Sequence, residues 1–335
     1  MAELLMGVWG VLGVLLVRGG DIVECIGFPP TSAEPRRVLV GRRKPRTSSS
    51  SVDRKWNTEK LGMRIGVDVL AAGMAGGLVA PVVGMIDRGI MENASGRATL
   101  RESLKGSVRQ MVLRPGSFFG GRPFGLIFTL YFGTYLTANL IDTASSTLSP
   151  PSSTSPSSSS SSFSTTTSGT PKFLATSTTN LALCLYKDSQ FTRLFGPTTT
   201  GPKRPVPLPT FILFTTRDLL TIFASFNLPP LLAPTLSTHL STSLQAYVSA
   251  ASVAQFVTPA AVQIVSTPLH LLGLDLYNRQ GAVGGRERVS RVLRDWGVSV
   301  VARMGRIVPA FGVGGVVNMK VRREGMEGLE RGKGG

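Results

Sequence analysis

The sequence predicts an all-α, multi-pass membrane helical bundle, and three observations lead to that prediction. No Asp, Glu, Lys or Arg occurs in residues 219–274, and Asp142 is the only such residue in 123–171. Charged residues make up 16% of the chain, whereas ordinary soluble domains contain about 25%. The basic residues collect in compact segments between the apolar runs. A chain that crosses a bilayer several times must keep charge out of its spans and gather Lys and Arg in loops on one side.

Six apolar segments are candidate transmembrane helices. They cover residues 65–86, 124–141, 173–186, 208–226, 246–269 and 298–317. The first contains a cluster of small residues, Gly73, Gly76 and Gly77, which lets helices approach closely in lipid. Pro81 and Pro268 interrupt the first and fifth segments. We expect the three glycines and the two prolines to shape helix packing.

Composition divides the chain into six parts around three predicted two-helix repeats. Residues 1–60 combine an apolar run with a basic, targeting-like segment, 143–171 form a Ser/Thr/Pro-rich stretch, and 321–335 are Gly-rich and charged. We expect disorder in the second and third of these parts. The repeats are predicted at 61–142, 172–236 and 237–320.

The net charge of +17 suggests an acidic partner. Nucleic-acid-binding proteins usually present their basic residues on a soluble face, but here they flank apolar runs, as is typical of contact with anionic lipid headgroups. We therefore expect a lipid bilayer as partner and no nucleic acid. Lys and Arg number seven in 87–123, four in 187–207 and seven in 275–306, which places these three loops on the same side.

The first and last basic loops have helical periodicity. Arg97, Arg101, Lys105 and Arg109 recur every four residues, and apolar residues recur beside them. Residues 288–296 repeat the pattern more loosely. Such stripes are typical of amphipathic helices lying on a membrane surface; the alternative is a solvated charged helix packed on its own protein.

Three stretches carry a family resemblance. Residues 303–314 (RMGRIVPAFGVG) resemble an even-numbered helix of the mitochondrial carrier family, and the repeated order of span, basic loop and arginine-bearing span resembles its three two-helix repeats. Residues 185–191 (LYKDSQF) and 214–220 (FTTRDLL) are similar to a group of uncharacterised fungal integral membrane proteins. These resemblances imply the mitochondrial inner membrane, where cardiolipin is an anionic lipid partner.

The carrier resemblance also implies a gate of ion pairs at the ends of the odd-numbered spans. The matching positions are Asp87, Arg88, Lys187, Asp188, Asp275 and Arg279. The chain departs from the carrier signature, because Pro81 and Pro268 are not followed by an acid two residues later. This departure favours an alternative function, a degenerate carrier-like scaffold or assembly protein with no transport activity.

The candidate substrate-binding residues are charged side chains in or beside the even-numbered spans. Arg217 and Asp218 lie in the middle of the fourth span, Arg122 enters the second and Arg306 lies in the sixth. An ionisable residue deep in a span usually faces the bundle interior, so these arginines predict a binding site for a small anionic solute. The alternative is that Arg217 and Asp218 pair with each other or with neighbouring helices and determine packing alone.

Enzymatic chemistry has little basis in the sequence. With two Cys and two His, neither a disulfide framework nor a zinc-ligand spacing is present. No Gly-rich phosphate loop follows a strand pattern, and no Ser-His-Asp set can be assembled. We therefore expect a carrier-like transport protein rather than an enzyme, with no metal and no cofactor.

Overall fold

A computed structural model describes residues 58–148, 170–197, 205–239, 250–279, 281 and 283–331. The predictions for 1–57 and for most of the Ser/Thr/Pro stretch, 149–169, lie outside these residues. The described part is helical and contains no strand. Its helices are α1 (Leu61–Ser95), α2 (Leu100–Leu113), α3 (Pro115–Phe119), α4 (Arg122–Leu148), α5 (Thr170–Phe195), α6 (Leu208–His239), α7 (Ala250–Asn278), α8 (Gly285–Gly305) and α9 (Gly315–Arg331), with a π-helical segment at Val308–Gly314 between the last two.

Four helical stretches in the described part are long and apolar enough to cross a membrane. They are Leu61–Ser95, Arg122–Leu148, Phe256–Asn278 and the continuous stretch Gly285–Arg331. The all-α membrane architecture is therefore confirmed at this level. Helices α5 and α6 are long enough to span a bilayer; α5 is less apolar than α1, whereas α6 is as apolar as α1 over its whole length.

Helix α1 is the central element of the bundle. It packs against α4, α9, α2, α5, α7 and the π-helical segment. Its buried face consists largely of small residues such as Ala72, Ala75 and Val79, whereas large apolar side chains such as Leu70 and Leu78 are exposed. A soluble helix buries its large apolar residues, so this inverted distribution is that of a helix whose outer face contacts lipid.

The first basic loop forms the short helix α2, which packs against α1. Helix α1 ends at Gly96 in the left-handed conformation, and α2 begins at Thr99 with a reciprocal capping box to Glu102. Hydrogen bonds from the Thr99 backbone and hydroxyl lower the pKa of the Glu102 carboxyl. Arg101, Lys105 and Arg109 are exposed along α2.

Two helices extend beyond the boundaries expected from composition. Helix α4 continues to Leu148, and Thr143 and Ser146, within the predicted Ser/Thr/Pro loop, are buried. Helix α9 continues to Arg331, into the segment for which we expected disorder, because Arg322 and Met326 are buried. In both cases tertiary packing decides the structure of a segment whose composition alone favours disorder.

The glycines predicted to shape packing differ in their surroundings. A Cβ atom added at Gly76 would lie 3.1 Å from the backbone nitrogen of Phe132 on α4, whereas nothing lies within 4 Å of one added at Gly73 or Gly77. Gly76 therefore marks the closest approach of α1 to α4. Pro81 lies inside α1 and Pro268 inside α7.

We expect Gly76→Val to lower the free energy of unfolding by about 1–3 kcal/mol, because the added methyl groups would push the α4 backbone away. Gly73→Val is the matched control, since it makes the same change in helix propensity at an open position. Thermal unfolding of the purified variants in detergent measures the difference. Equal melting temperatures for the two variants would contradict the close approach at Gly76.

Candidate functional site

Six charged side chains meet inside the bundle and form a single chain of alternating charge, which we call the central network. Its members, in spatial order, are Arg306, Asp87, Lys187, Asp188, Arg217 and Asp218. They come from α1, α5, α6 and the junction between α8 and the π-helical segment. Sequence analysis proposed all six residues, but it divided them between a binding site and a gate.

The first half of the central network is centred on Asp87. Arg306 Nη1 lies 2.8 Å from Asp87 Oδ1, and Lys187 Nζ lies 2.7 Å from Asp87 Oδ2. Lys187 Nζ also lies 2.6 Å from Asp188 Oδ1. Each oxygen of Asp87 thus faces one cation, and Lys187 joins two carboxylates.

The second half is centred on Arg217. Its Nη2 atom lies 2.5 Å from Asp188 Oδ2 and 2.7 Å from Asp218 Oδ1. Its Nη1 atom lies 3.2 Å from His270 Nδ1 on α7, so His270 joins a further helix to the network. Arg217 is 1% exposed and Asp188 is completely buried. The expected local pair Arg217–Asp218 is present, but it is one link of a longer chain.

An apolar layer surrounds the central network. Val83 and Ile127 come from α1 and α4, Phe191 and Phe214 from α5 and α6, and Leu274 from α7, and all belong to one buried cluster. This layer separates the ion pairs from solvent and lowers the local dielectric constant, which strengthens each pair and also raises the cost of breaking one.

The remaining sequence-predicted residues lie outside the central network. Arg122 is exposed at the start of α4. Arg88 contacts Glu92 and Gln110 and therefore links α1 to α2. Asp275 Oδ2 accepts a 2.6 Å hydrogen bond from Arg288 on α8, and Arg279 lies beside it. The structure thus brings six of the ten proposed charged residues together and places Arg88, Asp275 and Arg279 at contacts with α2 or α8.

A second buried polar cluster joins α1, α4 and α9. Its members are Arg64, Asp68, Asn139, Thr143, Ser146, Asn318 and Arg322. Arg322 Nε lies 2.7 Å from Asp68 Oδ1, and the amides of Asn139 and Asn318 exchange two 2.9 Å hydrogen bonds. We call this group the outer cluster.

The outer cluster and the central network lie at different depths of the bundle. Asp68 and Asp87 are both on α1, and the rise of a helix separates their backbones by about 28 Å, close to the hydrocarbon thickness of about 30 Å. Sequence analysis missed the outer cluster. One signal was available, because Asp68 is the only charged residue in the apolar run 65–86.

A family model described as Probable citrulline exporter matches residues 71–326. The chain belongs to the probable citrulline exporter family. No curated protein and no solved structure matches the chain. The exporter match extends from α1 into α9 and contains every residue of the central network. Its description is that of a membrane transporter rather than an enzyme. The described residues hold no group of His, Cys, Asp and Glu suited to a metal ion.

We expect Asp87→Asn to lower the free energy of unfolding by about 3–5 kcal/mol, because Lys187 and Arg306 would remain buried without the carboxylate they share. Glu287→Gln is the control. Glu287 pairs with Arg279 and Arg291 on the surface, and loss of such a pair costs less than about 1 kcal/mol. Equilibrium unfolding in mixed micelles compares the two. An Asp87→Asn variant as stable as Glu287→Gln would show that Lys187 and Arg306 do not depend on Asp87 for charge compensation.

Proposed function

We propose that this protein transports citrulline, or an amino acid of similar size and charge, across a membrane by opening the central network and the outer cluster in turn. The observation that carries the proposal is the alternating chain of five buried charges and the partly buried Arg306, which joins α1, α5 and α6 to the segment that precedes α9. The family description supplies the substrate.

Buried ion pairs suit a barrier that must break and form again. Taking two charges out of water costs about as much as their attraction returns, so a buried pair adds little net stability yet determines geometry strongly. In the central network, each of Asp87, Lys187, Asp188 and Arg217 has two oppositely charged partners. The network therefore opens as a unit, which is the behaviour expected of a two-state gate.

The two clusters involve different helices and share one. The outer cluster joins α1 to α4 and α9, and the central network joins α1 to α5 and α6. Both are closed in the present structure, which therefore corresponds to an occluded state. Alternating access follows if each cluster opens while the other stays closed. In this scheme Arg88, Asp275 and Arg279 hold α2 and α8 against the bundle.

We further propose six spans in three repeats. The pairs are α1 with α4, α5 with α6, and α7 with the stretch 298–317, which contains the end of α8, the π-helical segment and the start of α9. Helix α2 and the first part of α8 are the surface helices of the first and third pairs. The buried charges of α5 account for its lower apolarity, because those charges face partners inside the bundle. The inner mitochondrial membrane is the proposed location, supported by the carrier resemblance, and exposed Arg101, Lys105 and Arg109 suit anionic lipids such as cardiolipin.

Sequence analysis predicts an anionic solute, and citrulline fits this prediction at its carboxylate only. Citrulline carries a carboxylate and an ammonium group and has no net charge at neutral pH. An arginine in the bundle can bind its carboxylate as it would bind that of an anion. We therefore propose that the transported solute is anionic at one group rather than as a whole.

Reconstitution in proteoliposomes tests the proposal. We expect saturable uptake of labelled citrulline by the wild-type protein. We expect Asp188→Asn to reduce citrulline uptake at least tenfold, because Arg217 and Lys187 lose their shared partner. We expect Glu287→Gln to retain citrulline uptake. A folded wild-type protein that moves no amino acid would contradict the transport proposal and favour the scaffold alternative.

A further inference from the structure

The buried guanidinium of Arg303 lies outside both the central network and the outer cluster. Arg303 lies near the end of α8 and is 1% exposed. Its Nε atom donates a 2.9 Å hydrogen bond to Gln263 Oε1 on α7. Its Nη2 atom has no hydrogen-bond partner among the described residues, and no described carboxylate forms an ion pair with it.

Charge balance makes Arg303 unusual. In the central network three carboxylates face three cations, so the network is neutral when all six are ionised. Arg303 lies within electrostatic range of Arg306, Arg217 and Asp87, and it adds one positive charge. A buried charge without a counter-ion is strongly unfavourable, and in a membrane protein such a charge marks a functional position.

The protein holds Arg303 in one orientation. Gln263 Nε2 donates to the Pro259 carbonyl, and Ser266 Oγ donates to Gln263 Oε1. These contacts orient the amide so that its oxygen faces Arg303. A neutral amide satisfies one guanidinium nitrogen without neutralising the charge, so the Nη2 atom is available to a ligand.

The polar face of α7 continues beyond Gln263. Thr267 and His270 are buried on the same helix, and Thr267 Oγ1 has no hydrogen-bond partner within the described part of the chain. On the adjacent helix α6, Asp218 Oδ2 is buried and accepts no hydrogen bond from any described residue, and Asp218 lies within electrostatic range of Arg303. A cation with an unused donor and a carboxylate with an unused acceptor complement the two charged ends of an amino acid.

We infer that Arg303 binds the carboxylate of the transported amino acid and that Asp218 receives its ammonium group. The inference rests on the proposed transport function and identifies its substrate class as zwitterionic amino acids. Arginine suits this role because its guanidinium binds a carboxylate through two parallel hydrogen bonds. A bound carboxylate would supply the counter-ion that Arg303 lacks among the described residues, and the ammonium group would face Asp218, so each charge of the zwitterion meets an opposite charge. In this assignment Arg217 and Arg306 serve the gate, and Gln263 is a positioning residue.

The test compares binding and transport in matched variants. Arg303→Lys keeps the charge but loses the planar fork, so we expect its KM for citrulline to rise about tenfold or more. Arg294→Lys, an exposed change on the same helix, should leave KM unchanged. Carbamoylputrescine, which has the citrulline side chain and amine but no carboxylate, should neither compete with citrulline for the wild-type protein nor stabilise it thermally.

A second variant separates ligand binding from a structural role. Arg303→Met removes the unbalanced charge with little change in volume. We expect its melting temperature without substrate to equal or exceed that of the wild-type protein, and citrulline to stabilise it no longer. If this variant does not fold, the KM of Arg303→Lys decides the question alone.

The outcomes distinguish this inference from the proposal on which it rests. If the wild-type protein transports citrulline and Arg303→Lys has a KM within twofold of it, the role of Arg303 is wrong and the transport function stands. Competition by carbamoylputrescine as strong as that by unlabelled citrulline would overturn the carboxylate assignment in the same way. If the wild-type protein transports no amino acid, the proposed function itself fails.

Discussion

The structure depends on one constraint: a charge inside a membrane bundle needs a counter-charge, from the protein or from a ligand. Asp87 satisfies this requirement with Lys187 and Arg306, and Asp188 satisfies it with Lys187 and Arg217. Because three of these four pairs join different segments of the bundle, charge neutrality favours one arrangement of the helices. The apolar layer of Val83, Phe191 and Phe214 and their neighbours contributes packing, but apolar contact in lipid is not directional, so the ion pairs determine register and rotation.

Charge distribution along the sequence predicts the architecture well but predicts the pairing poorly. Charge-free runs and basic loops correctly indicate an all-helical membrane protein, and the cost of burying ions draws attention to Arg217, Asp218 and Arg306, which lie together in the central network. The partners, however, are distant: Lys187 is 100 residues from Asp87, and Arg306 is 219 residues from it. The sequence does not say which helices are neighbours, so these residues appear in it as separate short motifs. The structure shows that they form one network.

For the outer cluster, composition is misleading, because it predicts disorder where the structure has buried polar contacts. Arg322 lies in a Gly-rich, charged segment that reads as a frayed tail, yet it forms an ion pair with Asp68, which is 254 residues earlier. Thr143 and Ser146 belong to a Ser/Thr-rich run, yet they extend α4 and contact Arg64 and Arg322. Local propensity describes an isolated segment; buried partners supplied by α1 outweigh it here. The argument that predicts a role for Arg217 also applies to Asp68, since Asp68 is likewise an ionisable residue in an apolar run.

The positions of Asp68 and Asp87 on α1 have a consequence for biogenesis. Helix α1 is the first described span to be synthesised, and its long apolar run suits early entry into a bilayer. Two cations that complete its ion pairs, Arg306 and Arg322, are among the last to be made. Until Arg322 arrives, Asp68 must remain protonated, hydrated or shielded by another protein, whereas Asp87 can already pair with Lys187. Assembly of this bundle is therefore completed from its carboxyl-terminal end, and a chain that stops before Arg306 leaves Asp68 without Arg322 and Asp87 with Lys187 alone.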